Sequence, residues 1–286
     1  MVDAAMPRLE ANRPMLRRAA NGRVLVGGVV LALLVFTALA APWLAPFDPL
    51  EQDLVAQLQR PSWAGHILGT DSLGRDLLSR LIWGARIATE VAVLAAVPTA
   101  ILGTGLGLLA GYFGGVVDMI ISRLVDVWTS FPPILLSIIL VALIGTGLSS
   151  VIIAIIVIDW TRFCRVVRAE TLKQKHMDYV DAAVVAGLNP LTILAREIVP
   201  NILPLALVLL TLEMGIAVIV EAILSFVGLS ISTDAPTWGG MIAEGRQVIH
   251  QAPWIIVFPM LALLATVLSL NLFGDGLKAE LDPVLK

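Results

Sequence analysis

The chain has 286 residues, 58% hydrophobic and 14% charged, a balance that excludes an ordinary soluble domain and marks an integral membrane protein. A net charge of −3 on so apolar a chain excludes the concentrated basic face that nucleic-acid binding requires. The single cysteine, Cys164, can form no internal disulfide and reads as a small buried apolar side chain. His66, His176 and His250 lie too far apart for a metal site of the H-E-x-x-H or Cys/His type.

A spanning helix needs about 20 mostly apolar residues to cross a hydrocarbon core about 30 Å thick. Residues 1–23 read as a cytoplasmic amino-terminal segment and 24–46 as a first transmembrane helix. Its uncharged core is longer than the stretch of about 7 to 15 residues in a signal peptide, so it is read as retained. Residues 47–86 read as a periplasmic loop leading into a core of five helices over 87–275. The second span covers about 87–110. The 40 residues from Met119 to Ile158 are twice what one crossing needs, and "GTGLSS" at 145–150 divides them into a third and a fourth span. A fifth follows at about 202–227, a sixth at about 254–274, and residues 276–286 form a tail. The expected fold class is an all-α membrane protein of six transmembrane helices.

Basic residues near span ends favour the cytoplasm. Arg8, Arg13, Arg17, Arg18 and Arg23 precede the first helix, which places the amino terminus inside. Four crossings then return the chain to the cytoplasm at 165–200, where Arg165, Arg168, Lys173, Lys175 and Arg196 stand. Lys278 and Lys286 follow the sixth span and fall inside as well. The outside loops still hold Arg60, Arg75, Arg80, Arg86 and Arg246, so the bias is incomplete.

The loop over 165–200 is far longer than most connections. No proline or glycine interrupts a helix from Ala169 to Ala186, Gly187 suits a left-handed helix end, Asn189 a cap and Pro190 a first turn. The spacing predicts a helix, a tight turn and a second short helix on the cytoplasmic face. Small residues (Ala182, Ala183, Ala186, Gly187) mixed with charges suit a helix that docks in a partner's groove.

"DAAVVAGLNPLTILAREIVPN" resembles the E-A-A-x-x-x-G cytoplasmic loop of binding-protein-dependent ABC importer permeases, with Asp181, Ala182, Ala183 and Gly187 on the motif positions. "HILGTDSLGRDLLSRLIWGAR", "GYFGGVVDMIISRLVDVWTSFPPILL", "EAILSFVGLSISTDAPTWGGMI" and "NLFGDGLKAELDPVL" are similar to stretches of the dipeptide, oligopeptide and nickel importer family. The likeness is to its C-type permease, an extra amino-terminal helix before a five-helix type I importer core. The chain departs from the pattern at Asp181, where the family has Glu, and at Glu197 and Val199, where it commonly has His and Leu.

The resemblance implies an inner-membrane subunit with both termini cytoplasmic. It implies a coupling helix, carried by Asp181, Ala182, Ala183, Gly187, Asn189 and Pro190, that sits in a cleft of an ATP-hydrolysing subunit. Its partners would be a homologous second permease, two ATP-binding subunits, a periplasmic or lipid-anchored solute-binding protein and membrane lipid. No cofactor is expected on this chain, ATP and Mg being bound by the partner subunits. Peptides are the expected cargo, with nickel or another small chelated or peptide-like solute as the alternative.

The residues themselves carry no phosphate-cradling G-x-x-x-x-G-K-[ST] run, so the chain is expected to be no enzyme and its energy source lies elsewhere. An ion-coupled secondary transporter is the competing class, and no repeat of one half in the other supports it. A membrane-embedded charge costs about 2.5–3.5 kcal/mol near a helix centre, so Glu213, in the middle of the fifth span, has two readings. It faces the translocation path, where a carboxylate meets a peptide ammonium or a metal cation, or it pairs with a polar group of the partner permease. Glu221 reads as structural. Asp159, Arg162, Arg123 and Asp126 read as snorkelling or paired residues near span boundaries. The outside loop from Ser230 to Pro253 reads as a folded connection with a Trp anchored at the interface.

Overall fold

The structure is a computed structural model that describes residues 6–230 and 235–281. Residues 231–234 of the outer loop, and Lys286 with the rest of 282–286, lie outside the described residues. So do the side chains of Arg8, Arg13, Arg17 and Arg18. Every regular element among the described residues is helical.

Helix α1 runs Met6–Leu39 and is followed by a single turn, α2, at Ala41–Leu44. It begins well before the expected boundary at residue 24: Pro7 lies in its first turn, and Pro14 and Gly22 are accommodated within it. α3 is a single helix over Leu77–Phe113, capped by Asp76, whose carboxylate accepts from the Ser79 N–H at 2.7 Å. At 1.5 Å per residue its 37 residues reach about 55 Å, well beyond the expected 87–110.

The stretch expected to hold the third span is instead two helices. α4 (Gly115–Thr129) and α5 (Pro133–Ile144) meet at a bend of 87°. The cause is in "FPP": Pro132 and Pro133 have no N–H to give, and proline pushes the residue before it out of the helical region. "GTGLSS" then turns the chain as expected, with Gly145 at φ +104° ending α5.

α6 runs Leu148–Lys175, far past Ile158. α7 (Asp178–Val185) and α8 (Pro190–Ile193) follow, then a π-helical turn at Leu194–Ile198 that leads without a break into α9 (Val199–Phe226). Pro200 and Pro204 sit at and just inside the start of α9. The wider turn, in which the Val199 N–H reaches the Leu194 carbonyl, is where the helix absorbs the donor that Pro200 lacks. α10 (Trp238–Gln247) and α11 (Trp254–Leu281) complete the chain.

Among the described residues, four helical stretches are long and apolar enough to cross a membrane: Gly22–Leu39, Leu77–Phe113, Pro190–Phe226 and Trp254–Glu280. The bent α4–α5 pair makes a fifth if it counts as one crossing. α6 falls outside this set because Asp159, Arg162 and Arg165 interrupt its apolar half. Large apolar side chains such as Phe36, Ile101, Leu143 and Leu264 point outward, while the interior is rich in Ala, Gly and Thr. In lipid no hydrophobic force drives helices together, so small residues that let backbones approach do the packing.

The most extensive such contact joins α3 and α6. Gly103, Gly107 and Gly111 lie one above the other on α3, and a Cβ at Gly107 would meet the Cys164 carbonyl at 2.8 Å and the Arg168 nitrogen at 3.0 Å. Because those atoms are backbone, the helices must separate to admit a side chain. Gly107→Leu is expected to lower the yield of folded protein and its heat resistance in detergent by the cost of overpacking, about 1–3 kcal/mol. Gly105→Leu on the open face, where nothing lies within 4 Å, is expected to do neither, and retention of fold on heating in size-exclusion chromatography compares the two.

Candidate functional site

The connection between α6 and α9 is built on a rigid base. Arg168 of α6 makes a two-bond ion pair with Asp118 of α4, its Nη2 donating to Asp118 Oδ2 at 2.6 Å. Lys175 donates to the Tyr112 carbonyl at the end of α3, 2.7 Å away, and its ammonium sits 5.6 Å from the centre of the Tyr112 ring. α6 is therefore fastened to its neighbours down to its last turn, where Lys173 and Lys175 also suit the negative end of the helix dipole.

The expected uninterrupted helix from 169 to 186 is broken at His176–Met177. α6 ends at Lys175, and α7 starts afresh with Asp178 and Asp181 in its first turn, where carboxylates favour a helix start. Gly187 then takes φ +78°. Its N–H donates to the Val184 carbonyl at 3.0 Å and that of Leu188 to the Ala183 carbonyl at 3.1 Å, the two bonds of a Schellman end. Asn189 caps α8 by accepting from the Thr192 N–H at 2.8 Å, with Pro190 at the first position.

One face of this helix–turn–helix is closed. Val180, Ala183, Ile193 and Leu194 pack with Val167 of α6, with Ile198 of the π-helical turn and with Ile202 near the start of α9. Tyr179 locks the near side through its hydroxyl, which donates to Gln174 Oε1 at 2.6 Å. Burial, with the neighbouring Glu197 and Glu170 carboxylates adding to it against a bond to Asn201, holds that phenol above its ordinary range. The other face is open: Asp181, Ala182 and every residue from Val184 to Leu191 are exposed, Val185 at 88%. Of the residues read as coupling positions, Asp181, Ala182, Gly187, Asn189 and Pro190 share that open ledge, and Ala183 turns inward.

A second cluster lies in the body of the bundle. Glu213 on α9 is 1% exposed, and its Oε2 accepts from Arg162 Nη1 on α6 at 3.2 Å. Arg162 also lies 3.9 Å from Asp159, itself buried, one turn back on α6. The charge that the sequence left to a partner or a path thus has a counter-ion in its own chain. A helical period alone does not reveal it, since the two residues are 51 positions apart. Arg123 and Asp126 form only an exposed contact at 3.8 Å. Glu221 accepts from the hydroxyls of Ser225 and Ser230 and is 2% exposed, a structural carboxylate as expected.

At the α10 end, Asp71, Arg75, Arg80 and Glu244 form a further network. Arg75 Nε donates to Asp71 at 2.7 Å and its Nη2 to Glu244 at 2.9 Å, while Arg80 Nη2 reaches the same Glu244 at 3.2 Å. The sequence offered "GTDSLGRDLLSR" as a family motif and no partner for it; Glu244, 164 positions after Arg80, closes the network. Trp238 is not an interfacial anchor but core, 3% exposed, donating to the Leu81 carbonyl at 3.0 Å. Trp43 and Trp63 are the exposed tryptophans near this end, at 85% and 92%.

Residues 103–286, which contain α6 to α9 and the open ledge, match the family described as binding-protein-dependent transport system inner membrane component. The chain belongs to that family. Residues 17–61, which include most of α1, also match the N-terminal transmembrane domain of oligopeptide transport permease C. Among the relatives is the dipeptide transport system permease protein DppC of Haemophilus influenzae, 37% identical over 93% of this chain and 92% of its own length. The di/tripeptide permease DppC of Pseudomonas aeruginosa is 40% identical over 94% of this chain and 90% of its length. The glutathione transport permease GsiD of Pectobacterium atrosepticum is also 40% identical, over 91% and 86%. The family is one of transport permeases, so the chain is a permease subunit and a multi-pass inner-membrane protein.

Proposed function

We propose that this permease carries peptides, handed to it by an external solute-binding protein, and that two ATP-binding subunits drive the transfer through residues 178–193. The single observation that carries the linkage is the open ledge from Val184 to Leu191. It is apolar at its tip, stiffened by a Schellman turn and a capped α8, and bolted to α6 and α9 by a buried face. A segment with one packed face and one exposed apolar face at the end of two long helices is suited to pass a partner's movement into them. Asp181, Ala182, Gly187, Asn189 and Pro190 form the docking surface, and Ala183 holds it to the bundle. A homologous second permease completes the conduit.

The chain crosses six times in this reading: α1, α3, the α4–α5 pair, α6, α9 and α11. α6 crosses despite its charges because Asp159 and Arg162 are paired with each other and with Glu213. Both termini and the ledge are then cytoplasmic. The arginines on the opposite side that weaken the charge bias support the same orientation: Arg75 and Arg80 are buried in ion pairs and Arg86 is paired with Glu90 at 3.0 Å. Positive charge neutralised in this way has little pull toward the cytoplasm. Peptide cargo is supported by the dipeptide, di/tripeptide and glutathione relatives, and Glu213 faces the path.

Deleting residues 181–187 tests the linkage. The spans are expected to insert as before, measured by membrane fractionation, while co-purification of the ATP-binding subunits is lost. Full co-purification would refute the assignment.

A further inference from the structure

Helices α1, α3, α9 and α11 enclose a cavity of about 630 Å³. Beside its inner end α1 lies against the α11 backbone: at Gly27 a Cβ would meet the Phe273 nitrogen and the Ser269 carbonyl oxygen, each at 2.8 Å. From Gly28 to Leu39 α1 lines the cavity, a length of about 17 Å at 1.5 Å per residue. One wall is buried: Ala88 and Ala92 of α3, Thr211 and Val218 of α9 and Leu270 of α11 are at most 8% exposed. The rim is not, since Val35, Phe36 and Leu39 of α1 and Val93 of α3 are between 41% and 71% exposed. The cavity thus opens sideways, between helices long and apolar enough to span the membrane. Its three threonines have no proton to offer. The hydroxyl of Thr89 donates to the Ala85 carbonyl at 2.8 Å, that of Thr211 to Val208 at 2.8 Å and that of Thr266 to Ala262 at 2.9 Å. Every other side chain on the wall is apolar. A water needs two to four polar partners, so such a cavity stays dry, and left empty it would deprive its whole lining of dispersion contacts.

We propose that this cavity is a binding site for one acyl chain of a membrane phospholipid, which enters between α1 and α3 from the leaflet at the Leu39 end. The length fits: the chains of one leaflet fill half of a hydrocarbon core about 30 Å thick, close to the run of α1 from Gly28 to Leu39. Trp43, four residues beyond Leu39 and 85% exposed, suits the headgroup level at that end. Lipid is also the neighbour on the open side. α1 is the least buried of the four spanning stretches, with 11% of Gly22–Leu39 buried against 39% in the apolar stretches of α3 and α9. The chain fills the space between α1 and the rest of the bundle and restores the contacts that the wall lacks. The site selects hydrocarbon and reads no headgroup, because no free donor reaches it.

The test uses the permease purified with the subunits that accompany it and reconstituted into vesicles of phosphatidylethanolamine and phosphatidylglycerol. A small share of the lipid carries a diazirine near the end of one acyl chain. After photolysis, mass spectrometry is expected to find the label on Thr211, Met214 or Val218 inside the cavity, as well as on the outward-facing Ile101 and Leu264. Ala32→Phe fills the cavity from α1 and Ala92→Phe from α3. Each is expected to cut labelling inside it about tenfold, since a filled volume leaves a chain no room, while Ile101 and Leu264 are labelled as in the wild type. A wild-type protein labelled only at its outward-facing residues would overturn the proposal, and so would labelling inside the cavity that neither substitution reduces. Benzoylphenylalanine placed at Val93, on the rim, is expected to capture lipid. Capture of a companion subunit there would assign the cavity to a protein side chain and overturn the proposal as well.

Discussion

Replacing Gly187 by valine is expected to cut ATP-driven uptake about tenfold or more, whereas Gly187→Asn should retain most of it. Space is not the issue, since nothing lies within 4 Å of a Cβ built at Gly187. The backbone is: at φ +78° an L side chain crowds its own carbonyl, at about 1–2 kcal/mol, and a β-branched one suffers most. Valine relieves that strain by abandoning the left-handed conformation. The bonds from Gly187 to Val184 and from Leu188 to Ala183 then open, and the ledge loses its fixed angle to α8. Asparagine tolerates the same conformation and keeps both bonds. Uptake in proteoliposomes, with co-purification of the ATP-binding subunits alongside, separates the two. Equal loss in both variants would point to contact with the glycine itself rather than to the turn.

Replacing Arg75 by methionine is expected to have the largest effect on stability, about 3–5 kcal/mol, the cost of breaking a buried ion pair from one side. Arg75 is 3% exposed along its side chain and bonds both Asp71, 1% exposed, and Glu244. Its removal leaves the Asp71 carboxylate with Arg80 at 3.5 Å and Glu244 with Arg80 alone. Because Glu244 belongs to α10 and Asp71 to the loop before α3, the loss also leaves Arg80 as the bridge between the outer loop and α10. Unfolding of the purified protein by increasing denaturant detergent is the measurement, and a midpoint shifted by less than that of Gly107→Leu would show the network to be dispensable. Arg75→Lys should recover only part of the loss, since a single ammonium cannot reach two carboxylates as a forked guanidinium does.

The membrane class, most of the spans and the ledge were legible in the sequence because each is written in neighbouring residues. Apolar runs set the crossings, and the succession of Gly187, Asn189 and Pro190 announces a helix end and a new start. Two further local signals were also present. Pro132 and Pro133 mark the 87° bend between α4 and α5, and Gly103, Gly107 and Gly111 at intervals of four mark the close contact of α3 with α6. The break at His176–Met177 had no such marker; α7 restarts there because Val180 and Ala183 must turn back onto Val167 and Ile198.

By itself the sequence determined that this chain lives in a membrane, that a stiff polar segment separates two of its long apolar stretches, and that Glu213 sits where a charge is expensive. Only the tertiary structure decided which residues meet: Arg162 with Glu213, Glu244 with Arg75 and Arg80, and Ala183 facing inward while Val185 faces out. The reason is range. Helix starts, ends and hydrophobic length depend on residues within a few positions of one another, whereas a buried charge is satisfied by whichever helix the packing brings beside it.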